Sequence, residues 1–401
     1  MKAYERLLDY VVFNTRSDST TGKTPSTPGQ LEFGKALMKE LSDMGISDAV
    51  MDDYGYIYGS IPANCDAKAP AIGLIAHMDT ADNLPGPEKT PKIIKNYDGK
   101  AFKLEDGTIM DPEKDKNLKA AKGCDIIVTN GKTLLGGDDK AGLAAIMTAL
   151  EYFVQHPEKK HGKIAFSFTP DEEIGESQDH FNVEKFGADY AFTLDGEKCS
   201  EMSYENFNAC SVKVTIKGFD VHPGNAKDVM INAADIGTEF NAMLPQWRKP
   251  CHTERYDGFF HLDDMSGNIE NCVMDYLIRE FDSDEFAAMK ETMKENAAIL
   301  NKRYGEGTVT VEITDSYRNM FDVIKDHMDI IEGTVSSIVK ACGSYEVAPS
   351  RGGTDGAGLS FKGVPCPNLG TGSFNHHSTM EFANAQQMDK LVDVVVDILE
   401  I

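Results

Sequence analysis

The chain has no basic excess, no long apolar run and no paired cysteines, and each absence removes a class of function. It carries 40 Lys and Arg against 65 Asp and Glu, a formal net charge of −25. A nucleic-acid backbone needs a basic footprint, so binding to DNA or RNA is not expected. The same acidity opposes an anionic membrane surface. No apolar stretch approaches the ~20 residues that span a bilayer, and the first residues lack the apolar core of a secretory leader. The eight cysteines stand apart, with no C-x-x-C pair. Scattered cysteines in a chain this long read as reduced cytoplasmic thiols, not a disulfide framework or a zinc–thiolate site. No internal repeat or low-complexity tract appears. Gly22-Lys23-Thr24 lacks the upstream glycine and strand of a phosphate loop.

What is present is a globular composition, 41% hydrophobic over 401 residues. That length suffices for about two to three domains. Acidic and histidine residues recur just after short apolar runs. Ala71–Ala76 ends in His77-Met-Asp79. Gly136-Gly-Asp138-Asp139-Lys140 opens a helix whose Leu143, Ile146, Met147 and Leu150 share one face. Ile164–Phe168 leads into Asp171-Glu172-Glu173, and Tyr190–Leu194 stops at Asp195. Such runs read as buried parallel strands, and α/β sheets gather their chemistry at the carboxyl ends of those strands. Residues 207–316 read differently. Alternating segments and two amphipathic helices follow in the order βαββαβ, a ferredoxin-like unit. The stretch from 317 returns to α/β character. The expected fold is therefore two-domain α/β: a catalytic domain in two parts, 1–206 and 317–401, with 207–316 inserted. Residues 82–131 form a charged excursion with a hairpin that the pattern does not otherwise resolve.

Each motif has a bland reading. His77-Met-Asp79 is a capped strand end as readily as a ligand and its orienting carboxylate. Helix capping explains one of Asp138 and Asp139, and the pattern does not say which. Acidic triplets are commonly surface runs, but Pro170 and Gly175 place Asp171–Glu173 in a loop at a strand end. There one carboxylate can bind metal while its neighbour serves as general base. Asp195-Gly196 alone is a turn, and His222-Pro223-Gly224 is unremarkable locally. Arg351-Gly352-Gly353-Thr-Asp355-Gly356 is a plain turn or an anion-binding turn.

Taken together, these motifs with Phe374-Asn-His-His377 resemble the peptidase T group, tripeptide aminopeptidases of the di-zinc exopeptidase family that also holds carboxypeptidase G and the carnosine dipeptidases. The resemblance covers nearly the whole chain. It implies two zinc ions, with cobalt or manganese as substitutes. His77, Asp138 and Asp195 would hold one, and Asp138, Glu173 and His377 the other, with Asp138 bridging and Asp139 capping the helix. It implies Glu172 as general base and Asp79 as the residue that orients His77. His222 would reach from the inserted lid and dimerisation domain to the active site of a partner subunit in a homodimer. Arg279 and Arg351 would lie near the carboxylate of a short peptide substrate, and on chemical grounds the Gly352-Gly353 backbone beside Arg351 offers that carboxylate a clamp. Glu197-Lys198 and Ser378-Thr-Met380 depart from the family pattern. The alternatives are a dipeptidase, carboxypeptidase or N-acyl-amino-acid deacylase of the same family, or a metal-stabilised peptide binder without turnover.

Overall fold

The computed structural model describes residues 1–65, 68–86 and 91–401. The chain divides into two compact units. The larger comprises Met1–Tyr204, Asp322–Ala348 and Thr354–Ile401, and the smaller comprises Glu205–Phe321 and Pro349–Gly353.

The larger unit is built on a mixed sheet. Among the described residues it has eight strands, in the order Val50–Met51, Ile57–Ile61, Ile164–Thr169, Ile72–His77, Tyr190–Gly196, Asn368–Gly370, Glu201–Ser203, Glu346–Val347. Its centre is parallel: Ile72–His77 lies between Ile164–Thr169 and Tyr190–Gly196, in register with both. Both Ile72–His77 and Ile164–Thr169 are buried along their whole length. That is why their sequences run apolar instead of alternating. Because the three strands run in parallel, His77, Thr169 and Asp195 arrive at the same edge.

The helix Gly137–Gln155 packs against this sheet and is buried over most of its first ten residues. Gly142 makes the close approach possible: a Cβ there would overlap the carbonyl oxygen of Leu194. Any side chain would push the helix away from the strand that ends in Asp195.

The charged excursion folds into the same unit. Phe102–Lys103 and Ile109–Met110 form a hairpin. Lys92–Ile94 and Ile126–Val128 join Ser373–Phe374 and Phe382–Asn384 in a second sheet. Tyr97, Leu104, Met110, Leu118 and Phe374 pack into a small core beneath it. Residues 87–90 of the excursion lie outside the described residues.

The smaller unit is a four-stranded antiparallel sheet with two helices, Ala233–Met243 and Ser283–Tyr304. Strand order is Phe259–Gly267, Asn271–Glu280, Asn208–Lys217, Val309–Tyr317. This is the ferredoxin-like arrangement that the βαββαβ order implies. Val212, Val214, Ile216, Met274, Met289, Met293 and Leu300 share its core. Among the described residues, no helix in either unit is long and apolar enough to cross a membrane. The eight cysteines are all free; Cys199 Sγ and Cys342 Sγ lie 3.2 Å apart without a bond.

Candidate metal centre

The centre is assembled in the larger unit, from strand ends and the turns that follow them. His77 closes its strand and is buried. Its Nε2 lies 3.0 Å from Asp138 Oδ1 and 3.7 Å from Asp195 Oδ1. Asp138 turns its other oxygen the opposite way: Oδ2 is 3.3 Å from His376 Nδ1 and 3.4 Å from His377 Nε2. His377 Nε2 is also 2.8 Å from Glu173 Oε2. One carboxylate thus faces two groups of donors, one through each oxygen.

The supports are specific. Asp79 is fully buried beside the His77 ring, with Oδ1 3.3 Å from Nδ1. Its two oxygens accept the backbone N–H groups of Glu172 and Glu173 at 3.1 and 3.2 Å. Asp79 therefore ties the histidine to the turn that carries both glutamates. Asp139 is buried too. It accepts from His77 N at 3.2 Å and Gly142 N at 3.1 Å, so its oxygens hold the strand end and the first helical turn. Asp171, the first of the acidic triplet, is a structural anchor. Its backbone sits in the left-handed region, which Asp tolerates, and its carboxylate accepts from Ser26 N and Gln30 Nε2. The bonds free Glu172 and Glu173 to face the cluster.

Two contributors stand outside the expected ligand set, and only one of them, Glu381, is unmarked by the sequence pattern. Glu381 is buried and accepts three backbone N–H bonds, from Leu135, Gly136 and Asp138, at 2.7–3.0 Å. It thereby shapes the turn that presents Asp138. Its only sequence signal is an acid before the short strand Phe382–Asn384, which is no signal at all. His376 is the second. It stands beside His377 in a turn where Asn375 and His377 both have positive φ.

Electrostatics show a cluster with more carboxylate than its surroundings neutralise. Burial opposes charge on Asp138, but His376, His377 and His77 outweigh it and hold its pKa well below the usual range. Asp138 and Glu173 raise His377 to about 11. Burial, reinforced by the charge of Asp138, pushes Glu173 up to about 7 and Asp195 up to about 6. Burial raises Glu172 well above its ordinary value. A cation bound here would compete with protons for these groups.

The donors fit a pair of divalent cations. Imidazole nitrogen and carboxylate oxygen are the borderline and hard ligands such ions take. His77, Glu172 and Asp195 each offer an atom within 4.8 Å of the others, and so do His77, Asp138 and Glu173. Glu173 Oε1 is buried without a hydrogen-bond partner, an uncompensated acceptor that a cation would satisfy.

The other candidates lie in the smaller unit. His222 is exposed, and its Nδ1 accepts from Gly224 N at 3.1 Å. Arg279 donates to the carbonyls of Cys210 and Ile278 and lies over the Tyr317 ring. Arg351 donates to the carbonyls of Arg255 and Asp257 and to Thr253 Oγ1, with its guanidinium against Phe207 and Phe259. Gly352 and Gly353 follow it; space beside Gly352 is open and Gly353 abuts the Tyr317 ring.

Comparison with known proteins agrees over the full chain. Residues 131–401 match the family model described as peptidase family M20/M25/M40. Peptidase T of Clostridium perfringens (strain SM101 / Type A) is 49% identical over 401 residues, covering 100% of this chain and 98% of that protein. Peptidase T of Caldanaerobacter subterraneus is 47% identical over 402 residues, with the same coverage. The crystal structure of aminopeptidase PepT from Bacillus cereus ATCC 10987 superposes with a TM-score of 0.76 at 24% identity, covering 98% of this chain and 97% of that one.

Proposed function

The chain belongs to peptidase family M20/M25/M40, and from that premise we propose that it is a metallo-aminopeptidase that removes the first residue of tripeptides. The observation that carries the reading is Asp138, with one oxygen toward His77 and the other toward His377. A carboxylate so placed suits a ligand shared by two cations. His77, Asp138 and Asp195 would hold one cation; Asp138, Glu173 and His377 would hold the other. Zinc fits these donors, with cobalt or manganese able to replace it. Bound there, the ions lower the pKa of a water from ~15.7 toward ~7 and polarise the scissile carbonyl.

The remaining work falls to side chains. Glu172 takes the proton of the attacking water and returns it to the departing amine. Burial raises its pKa well above the usual carboxylate value, which favours a group that holds a proton between the two transfers. Asp79 keeps the His77 ring in one orientation. His222 stabilises the oxyanion. Its Nδ1 already accepts a hydrogen bond, so in the neutral ring Nε2 carries the proton and can donate. We place His222 against the active site of a partner subunit, with the ferredoxin-like unit as lid and dimerisation domain of a cytoplasmic homodimer. Mixing inactive His222→Ala with inactive Glu172→Ala then restores activity in hetero-dimers. No recovery, with subunit exchange shown separately, places His222 within its own chain or outside the reaction.

Substrate length requires that both ends be read. An aminopeptidase of this kind leaves an N-acetylated tripeptide uncut. Arg351 and the Gly352-Gly353 backbone are proposed to meet the terminal carboxylate, with Arg279 nearby. Amidating the C-terminus is then expected to lower kcat/KM by about one to two orders of magnitude, the worth of a charged hydrogen bond of roughly 1.5–3 kcal/mol. Rates on free, amidated and acetylated forms of one tripeptide, with the products identified, test this. Equal cleavage of free and acetylated forms points instead to a deacylase or carboxypeptidase. No loss on amidation makes Arg351 a structural residue of its own unit.

A further inference from the structure

We propose that a recess bordered by the excursion and the His376–His377 turn receives the first residue of the substrate, its side chain against Ile109, Met110 and Met380 and its ammonium group at Glu197. This rests on the tripeptide aminopeptidase reading and names the pocket that reading leaves open.

The recess holds about 650 Å³, within the range of small-molecule sites. One wall is the hairpin and short helix at 109–117; the other is Asn375, Ser378 and Met380. The second wall is continuous in sequence with His376 and His377, which face Asp138. The recess therefore shares one wall with the turn that carries two of the centre's histidines. It is also held in shape. Asp115 caps the helix Lys116–Ala120 by accepting from Asn117 N and Leu118 N. Its other oxygen accepts from Asn375 Nδ2 at 2.7 Å, joining the two walls. Asn375 Nδ2 also donates to Met380 O at 3.2 Å.

The lining suggests what enters. Met110 is buried, yet Ile109 and Met380 are 55% and 40% exposed on opposite walls. Two large apolar side chains bordering one recess next to a reaction centre gain from an apolar guest. Methionine adapts its shape to such a guest. Glu197 follows the strand that carries Asp195 and reaches Asn117 on the recess wall. It is two residues beyond Asp195, its Oε2 accepts from Asn117 Nδ2 at 3.3 Å, and its charge is felt at His376. An α-ammonium group carried in with an apolar side chain meets a carboxylate there. Each segment where the sequence departs from the family pattern thus sends a residue here, Glu197 through Asn117 and Ser378 and Met380 directly.

The test is a panel of X-Gly-Gly tripeptides cleaved by the metal-replete protein. Leu or Met in first position is expected to exceed Gly by about 10–100-fold in kcat/KM. Ile109→Asp and Met380→Asp, both at exposed positions, should each remove about tenfold of that preference and improve Lys-first peptides. Glu197→Gln should leave metal content unchanged. In the inactive Glu172→Ala background, it should erase the affinity difference between free and N-acetylated peptides, expected to be about tenfold. A preference for Asp or Glu in first position would assign the recess to Lys114 and Lys116 and overturn the proposal. So would an active enzyme whose first-residue preference neither Asp variant moves, or a Glu197→Gln effect equal for free and acetylated peptides. A metal-replete wild-type chain that cleaves no tripeptide overturns the aminopeptidase reading itself.

Discussion

Glu172→Ala is expected to keep both cations and to lose about 10²–10⁴-fold in kcat, the range a positioned general base contributes. The expectation follows from how Glu172 is held. Its backbone N–H is fixed by Asp79, and its neighbour Glu173 makes the 2.8 Å contact with His377. Glu172 instead lies within 4.8 Å of the His77–Asp195 group, close enough to reach a water there. Elemental analysis beside single-turnover kinetics separates the two roles. Loss of a cation in the variant makes Glu172 a ligand. Near-normal turnover leaves the proton transfer to another group, and the buried Asp355, which accepts from Thr169 Oγ1 at 2.8 Å, becomes the next to test.

Asp138→Ala is expected to do more. It strips one ligand from each proposed cation and leaves His77, His376 and His377 without the carboxylate they share. Both cations should be lost, and activity should fall below about 10⁻⁴ of wild type, since the activated water goes with them. Asp139→Ala supplies the contrast. Asp139 already spends its oxygens on His77 N and Gly142 N, so its removal should loosen the helix start and lower stability by about 1–3 kcal/mol. Cation content and unfolding midpoints of the two variants decide between them. Both cations retained in Asp138→Ala and lost in Asp139→Ala would reverse the assignment.

Much of this architecture is legible because it is local. The parallel strands read as continuous apolar runs since both faces are covered, and the centre's residues lie at their ends or in the turns that follow, His77 closing one strand and Glu172 and Glu173 just beyond another. The helix Ser283–Tyr304 buries Phe286, Met289, Met293, Ala297 and Leu300, a helical spacing carried in the sequence itself. What local pattern leaves undetermined is set by distant partners. Ile126–Val128 is a three-residue strand between Lys92–Ile94 and Phe382–Asn384, the latter some 250 residues later, so the excursion reads as irregular. Glu381 acts through three backbone N–H groups of another loop, and nothing about a glutamate before Phe382 announces it. Asp138 and Asp139 are adjacent acids with different surroundings, one facing histidines and the other backbone N–H groups, a difference their spacing does not carry.

The most direct measurement is a cation titration of the chelator-stripped protein, reading bound metal and tripeptide cleavage in the same samples. The account predicts no cleavage without metal, two ions bound per chain at saturation, and full activity only as the second site fills. Turnover by the stripped protein, or saturation of binding at one ion per chain with full activity, would contradict it.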